Sequence, residues 1–244
     1  WAEKAGHTIT ELFPTEVPIL LGDTFIHEKT LQGLSLRDVA LTVHGKKDKP
    51  IKTHTGDLLF THFGLSGPIA LRCSQYTIKE RKRSKETIVH LSIDLFPDES
   101  LGALTERFQT ALKANPKKTV RNALRGFVPE RMLELLFARI GFGDEVCTQV
   151  KKQDWTDFLQ QLKRFPLKAT GTLDFDKAFV TGGGVSIKEI DPKTMMSKKA
   201  ERLFFAGEIL DIHGYTGGYN ITAAFVTGHC AGSHAAEMAR DAVS

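Results

Sequence analysis

Apolar and polar residues alternate in the middle of the chain, which predicts short β-strands there. Residues 86–96 (ETIVHLSIDLF) place Val89, Leu91, Ile93 and Leu95 on one side of a strand, so this side faces a core. Patterns of this kind occur at residues 17–21, 37–44, 58–63 and 87–96. Turn-rich sequence separates the runs, which favours an antiparallel barrel or sandwich.

The following part of the chain changes to apolar spacings of three and four residues, which are typical of helices. After an acidic segment that ends at Ser100, the positions Leu101, Leu104 and Phe108 fall on one helical face. Further helices are predicted at residues 118–125, 130–140 and 155–164. A strand at residues 167–175 is expected to close the barrel.

These patterns predict a division into domains. An insert domain is expected at residues 16–170, with a barrel at 16–96 and 166–174 and a helical subdomain at 97–165. Residues 1–15 and 171–244 are expected to belong to a second domain of α/β character.

The second domain has strand patterns joined by glycine-rich connections. Strands are predicted at residues 7–13, 178–181 and 203–206. The last of these is a short apolar run that suits a strand covered on both faces. Gly217 and Gly218 then precede a helix of small residues (ITAAFVTGHCAGSHAA). An acidic residue, Glu208, lies between that strand and that helix.

Composition excludes several classes of protein. With 41% hydrophobic and 25% charged residues, the chain has the composition of a soluble globular protein. No run approaches the roughly 18 apolar residues that span a bilayer, so no membrane partner is expected. Cys73, Cys147 and Cys230 are odd in number and lack a C-x-x-C spacing. That argues against a disulfide framework or a metal site and favours a reducing cytoplasm.

Five sequence blocks resemble one family of flavoproteins. They are FAGEILD, GYTGGYNITAAFVTGHCAG, VTGGGVSIKEIDPKTMMSKKAERL, FTHFGLSGPIAL and HTITELFPTEVPIL. Together they resemble the HI0933/YhiN-type proteins, which are FAD-dependent or NAD(P)/FAD-dependent oxidoreductases. The resemblance implies an α+β fold in which the insert domain accompanies the C-terminal part of a glutathione-reductase-type FAD-binding domain. It also implies FAD as cofactor, with NAD(P)H as a possible reductant.

One motif of that family does not occur in this sequence. No G-x-G-x-x-G turn, which binds the ADP half of FAD in such folds, is present, and Gly182, Gly183 and Gly184 are consecutive instead. The chain is therefore expected to be a fragment without the first nucleotide-binding half. We expect the fragment by itself to bind FAD poorly and to be inactive.

The C-terminal blocks carry the predicted cofactor contacts. By resemblance, Glu208 hydrogen-bonds a ribityl hydroxyl of the flavin, although capping the following turn would also explain a carboxylate here. The segment Gly217-Gly218-Tyr219-Asn220 opens a helix whose backbone N–H groups can stabilise negative charge on a flavin ring. An ordinary glycine turn that packs the helix on a sheet is the alternative.

The segment after residue 178 supplies a second set of candidates. Thr181, Gly182 and Gly183 follow a strand and are predicted to bring backbone close to the cofactor. His213 and Tyr215 would line the substrate side of the ring, with exposed loop positions as the alternative.

The block THFGLSGP in the insert domain carries the one candidate catalytic residue. Its glycines permit a tight turn, Pro68 suits the first turn of a helix, and Ser66 is predicted to cap that helix. These turn and capping roles do not explain His62. We predict a proton-transfer or substrate-binding role for this residue.

Positive charge concentrates in the insert domain, although the net charge is only +4. Basic runs at residues 46–49, 79–85 and 117–125 are usually solvated turns, although the last overlaps the helix predicted at residues 118–125. If they lie on one face, they predict contact with RNA. A protein-interaction or dimerisation module and a lid over a small-molecule substrate are the alternatives for this domain. The sequence names neither the substrate nor the oligomeric state.

Overall fold

The structure, a computed structural model, describes residues 1–242 and divides into two compact units. The barrel unit is Pro18–Thr172, and the terminal unit joins Trp1–Val17 to the chain from Leu173 onward. The predicted domain boundaries after residues 15 and 170 stay predictions.

Eight strands and seven helices are described. The strands are β1 (Ile9–Thr15), β2 (Ile19–Leu21), β3 (Ser35–His44), β4 (Pro50–Phe60), β5 (Gly64–Ser66), β6 (Val89–Asp94), β7 (Phe165–Thr172) and β8 (Val180–Val185). The helices are α1 (Thr24–His27), α2 (Pro68–Ser84), α3 (Leu101–Ala114), α4 (Val120–Ala123), α5 (Glu130–Ile140), α6 (Lys152–Lys163) and α7 (Tyr219–Asp241).

Six strands of the barrel unit close on themselves. Their order is β2, β5, β4, β3, β6 and β7, and every neighbouring pair is antiparallel. The predicted α+β class with an antiparallel barrel is therefore confirmed. β4 begins at Pro50 and not at residue 58, because a ladder with β3 holds its exposed first half. A pattern of alternating apolar residues cannot reveal a strand segment whose side chains are exposed to solvent on both faces.

One hydrophobic core holds the barrel and its helices together. Val89, Leu91 and Ile93 of β6 are buried in it, which confirms the alternation read from the sequence. Phe108 of α3 and Phe158 of α6 belong to the same cluster. The helical part is thus built onto the barrel core and shares its stabilisation.

The helix after β5 differs from the prediction in two respects. It begins at Pro68 as expected, but its N-cap is Gly67, with φ of 89°, and not Ser66. The basic run predicted as a turn at residues 79–85 is helical as far as Ser84. Lys, Arg and Glu are good helix formers, and the Glu80 carboxylate accepts a 2.7 Å hydrogen bond from Arg83 one turn later. The prediction of a turn was wrong because charge does not oppose helix formation.

A two-stranded ladder organises the terminal unit. β1 pairs antiparallel with β8, and the third predicted strand, at residues 203–206, was wrong. Phe204 makes a single bridge to Met196, and no ladder forms around it among the described residues. An apolar run becomes a strand only where a partner backbone continues alongside it. In the part of the chain described, no helix is long and apolar enough to cross a membrane.

Candidate functional site

One hydrogen bond holds the Glu208 side chain in the terminal unit, and another holds the turn on which Glu208 lies. It lies on a 3-10 turn, Gly207–Ile209, and the Gly207 N–H donates to Thr227 Oγ1 of α7 at 2.9 Å. Its own Oε1 accepts from the Thr181 N–H at 2.8 Å. The side chain is exposed. The carboxylate is therefore fixed by one oxygen and presents the rest of the group to solvent.

The start of α7 lies next to this carboxylate. Gly218 is the N-cap with φ of 95°, and no side chain among the described residues caps the first turn. Glu208 and Asn220 line the same small pocket, which also includes Ala223. The acidic group and the unpaired amides of a long helix are thus brought together, where they can bind a group with both donor and acceptor atoms.

Asn220 has a structural task of its own. Its Oδ1 accepts from the Gly214 N–H at 2.8 Å, and its Nδ2 donates to the Gly214 carbonyl at 3.0 Å. These two bonds close the loop that contains Gly217 and Gly218. Tyr219 is 67% exposed, so its ring is available on the outer side of the helix start.

Close packing explains the glycines that follow Val180. A Cβ at Gly182 would lie 2.4 Å from the Phe13 ring, and one at Gly183 would lie 2.3 Å from the Glu11 carbonyl oxygen. Both glycines allow β8 to pack against β1. Thr181, between Val180 and Gly182, is the member of this set that contacts Glu208. A cofactor contact by Gly182 and Gly183 stays a prediction.

An open cavity of about 670 Å³ adjoins Thr181 and Glu208. Its walls include the apolar side chains of Ile9, Leu12 and Ile209, which are 37%, 50% and 51% exposed. The volume lies in the range of small-molecule sites. A polar edge beside an apolar wall suits a flat heteroaromatic ring.

Sequence reasoning missed Glu16, which is fully buried in the terminal unit. Its Oε2 accepts from the Thr216 N–H at 3.0 Å, whereas Oε1 has no hydrogen-bond partner among the described residues. The residue has φ of 51°, in the left-handed region. A buried carboxylate here fixes the loop that leads to α7. Its one signal in the sequence is its place in the block HTITELFPTEVPIL, because no local pattern distinguishes this Glu from a surface Glu.

The predicted histidines occupy different environments. His62 is exposed, in the turn between β4 and β5, with its ring 4.9 Å from the Phe63 ring. His213 packs edge-on against Phe13 at 5.4 Å, and Tyr215 is half-buried. The catalytic role of His62 stays a prediction, as do the substrate contacts of His213 and Tyr215.

A second buried network in the terminal unit was also missed. His7 Nε2 lies 2.7 Å from Ser197 Oγ, and His7 Nδ1 lies 3.2 Å from Glu189 Oε2. Ser197 Oγ also accepts from two backbone N–H groups, and the residue is only 4% exposed, so it anchors a loop. The Lys199 ammonium, helped by hydrogen bonds from Thr8, lowers the pKa of Glu189 to about 2.

Two of the basic runs meet on the barrel unit. The Arg83 guanidinium lies beside Gly45, 3.4 Å from where a Cβ there would be placed. Lys46 and Lys47 share a cavity of about 350 Å³ with Glu80 and other residues. Acidic groups therefore lie among the basic ones in this cavity.

Fold and site together define a class of protein. It is a mixed α+β protein in which a closed six-stranded antiparallel barrel carries several helices, and an acidic side chain meets an uncapped helix start in the terminal unit. The chain belongs to the HI0933-like protein family. Residues 13–180 match the family model described as the HI0933-like protein barrel and H2TH domain.

Curated relatives carry the names of enzymes. The chain is 34% identical over 240 residues to the 3-dehydro-bile acid delta(4,6)-reductase of Clostridium scindens, with 97% of this chain and 56% of the relative covered. It is 30% identical over 219 residues to the ribosomal RNA dihydrouridine synthase of Haemophilus influenzae, with 90% and 50% covered. The enzyme of that name from Escherichia coli is 30% identical over 228 residues, with 90% and 53% covered. The chain thus spans about half the length of these relatives.

Proposed function

We propose that this chain is part of an FAD-dependent reductase whose terminal unit holds the flavin end of the cofactor. The observation that carries the proposal is the meeting of Glu208, Thr181 and the start of α7 beside an open cavity. When bound, FAD would supply the hydride chemistry of the reaction.

The residues present fit such a cofactor. The Glu208 carboxylate retains acceptor capacity for a hydroxyl group, since Oε1 alone receives the Thr181 N–H. A Cβ at Gly218 would meet no atom within 4 Å, so the backbone at the helix start is open to a ring. The first-turn N–H groups of α7 favour negative charge on that ring. Glu16 fixes the preceding loop through Thr216.

The substrate we propose contains a carbon–carbon double bond conjugated with a carbonyl group. A Δ4,6-unsaturated 3-oxo bile acid and a uracil ring both contain this arrangement, and the names of the relatives refer to them. Its reduction adds a hydride to the carbon β to the carbonyl and a proton to the α carbon. We propose NADH or NADPH as the source of the electrons, and His62 as a candidate proton donor.

We expect Glu208→Gln to weaken FAD binding by the full-length protein about tenfold or more, because a hydrogen bond to a charged acceptor contributes about 1.5–3 kcal/mol. The measurement is a titration of the flavin-free protein with FAD, followed by the change in flavin fluorescence. The same preparations are then assayed with NADH or NADPH for reduction of an unsaturated 3-oxo bile acid and of a uridine-containing RNA.

The matched control is Glu201→Gln, an exposed carboxylate in the segment before Glu208. It should leave FAD affinity unchanged. Equal affinity of wild type and Glu208→Gln would remove Glu208 from the cofactor site. Absence of FAD binding by the wild-type full-length protein would reject the proposed function as a whole.

A second candidate substrate is RNA, and the position of two basic runs on the barrel unit favours it. The basic runs at residues 46–49 and 79–85 lie together, and Lys46, Lys47 and Lys85 are exposed. We expect the triple variant Lys46→Gln, Lys47→Gln and Lys85→Gln to bind a single-stranded RNA more weakly. The slope of log affinity against log salt should become shallower by about 2, at about 0.7 per lost phosphate contact. Filter binding at several salt concentrations measures both quantities.

The control replaces exposed lysines elsewhere on the barrel unit, Lys113, Lys151 and Lys152, with Gln. An equal loss in both triple variants would mean that net charge alone attracts RNA, and an unchanged slope in the first variant would exclude this surface.

We also propose a reducing cytoplasm as the location. Cys73, Cys147 and Cys230 form no disulfide within residues 1–242, which supports this assignment.

A further inference from the structure

A separate cavity of about 340 Å³ lies in the barrel unit. It is formed by the loop after β2, by α5 and by β7, and none of its residues takes part in the proposed flavin site. The volume is at the lower end of the range for small-molecule sites. Four charged side chains line it: Asp23, Glu28, Arg139 and Lys168.

Two aromatic rings hold the Arg139 guanidinium, and Asp23 is an anionic neighbour that forms no close ion pair with it in the part of the chain described. The guanidinium carbon of Arg139 lies 4.1 Å from the centre of the Phe165 ring and 5.1 Å from that of Phe25. Both rings are buried in the barrel core, which fixes their positions. Within residues 1–242, no hydrogen bond or close ion pair engages this guanidinium. Stacking uses the face of the group, so its N–H donors remain available at the edge.

Asp23 fixes another part of the cavity lining. It is 9% exposed, and its Oδ2 accepts from the Lys168 N–H at 2.8 Å, which ties the loop after β2 to β7. Burial raises the pKa of Asp23, and the hydrogen bond from Lys168 and the charge of Arg139 partly offset this. Partial desolvation also lowers the pKa of Arg139, although the residue is exposed and a guanidinium stays charged at neutral pH.

The charges around the cavity select among ligands. Two cationic and two acidic side chains give the lining no net charge, so an anion is attracted only locally, at Arg139 and Lys168, and each further negative charge on a ligand adds repulsion from Asp23 and Glu28. A planar carboxylate matches the fork of Arg139, and the ammonium of Lys168 adds a second attraction. Asp23 can accept a hydrogen bond from a hydroxyl group.

We propose that this cavity binds a small hydroxylated monocarboxylate, with its carboxylate paired to Arg139 and a hydroxyl group bonded to Asp23. The site is independent of the proposed flavin chemistry. Its ligand would be a polyhydroxy acid of the size of gluconate.

The test titrates the chain with gluconate, with uncharged glucitol and with inorganic phosphate, by isothermal titration calorimetry. Gluconate should bind saturably, glucitol should not, and phosphate should bind more weakly than gluconate. Arg139→Gln should weaken gluconate binding at least about tenfold. Arg139→Lys should bind gluconate with an affinity between those of the wild type and Arg139→Gln, because lysine keeps the positive charge but lacks the planar fork of N–H donors.

The matched control is Arg131→Gln on the same helix, where the exposed guanidinium donates to the Gln32 carbonyl at 2.9 Å. It should bind gluconate as the wild type does. Circular dichroism checks that each variant is folded; if Arg139→Gln is not, Lys168→Gln takes its place with an expected loss of several-fold. Failure of gluconate to saturate, tighter binding of phosphate, or unchanged affinity in the folded Arg139 or Lys168 variant would overturn the proposal.

Discussion

Gly64→Ala is expected to open the barrel where β2 meets β5. Gly64 pairs with Leu20 across this seam and has φ of 155°. A Cβ at this position would lie 2.1 Å from the Ile19 carbonyl oxygen and 2.8 Å from the Leu21 nitrogen, so the two strands would have to separate. Because overpacking and backbone strain add, we expect a loss of about 3 kcal/mol or more in the free energy of unfolding. Urea denaturation followed by Trp155 fluorescence measures it.

The control for this substitution is Gly33→Ala in the same unit. Gly33 also has positive φ, 78°, but a Cβ there would meet no atom within 4 Å. The free energy of unfolding of Gly33→Ala should therefore fall only by the cost of a positive φ for a residue with a Cβ, about 1–2 kcal/mol. Equal losses in the two variants would show that the close approach of the Ile19 backbone does not limit closure.

The second large effect is expected from Phe158→Ala in α6. Phe158 is fully buried, and its ring lies 5.4 Å from that of Phe137 and 5.9 Å from that of Trp155. Phe108 of α3 lies 6.1 Å away, so one side chain joins three helices. Removing it leaves a cavity that rigid neighbours cannot fill, and we expect a loss of about 3–5 kcal/mol. The midpoint and slope of urea unfolding give the value.

Phe175→Ala makes the same chemical change at a position that is 50% exposed. Its cost should be about 1 kcal/mol or less, since surface substitutions are usually small. If Phe158→Ala costs no more than this control, the helices do not share the barrel core. If Phe158→Ala also lowers the urea concentration at which the β-barrel unfolds, the shared core is supported.

The sequence predicts those parts of the fold that depend on local patterns. The alternation in β6 and the helical spacing of α3 and α5 reflect which residues are buried, and the structure reproduces them except at Leu101, which is 47% exposed at the start of α3. The first half of β4 was missed and the strand at residues 203–206 was wrong. Both errors have the same origin, because a strand exists only through its partner, and the partner lies far away in the sequence.

The candidate site divides in a similar way. Glu208 and the glycines before α7 could be identified from the sequence by their place in a family pattern. Glu16 could not, because its burial depends on the fold around it. The meeting of Thr181 with Glu208 likewise joins segments that no spacing connects.

The sequence by itself determined most of the element types, the family and the acidic and glycine-rich positions, since each of these follows from neighbouring residues. Only the tertiary structure decided which elements meet. Barrel closure at Gly64, the stacking of Arg139 on Phe165 and the loop held by Glu16 all depend on contacts between distant segments. Their geometry follows from close packing and backbone pairing, which a one-dimensional pattern does not contain.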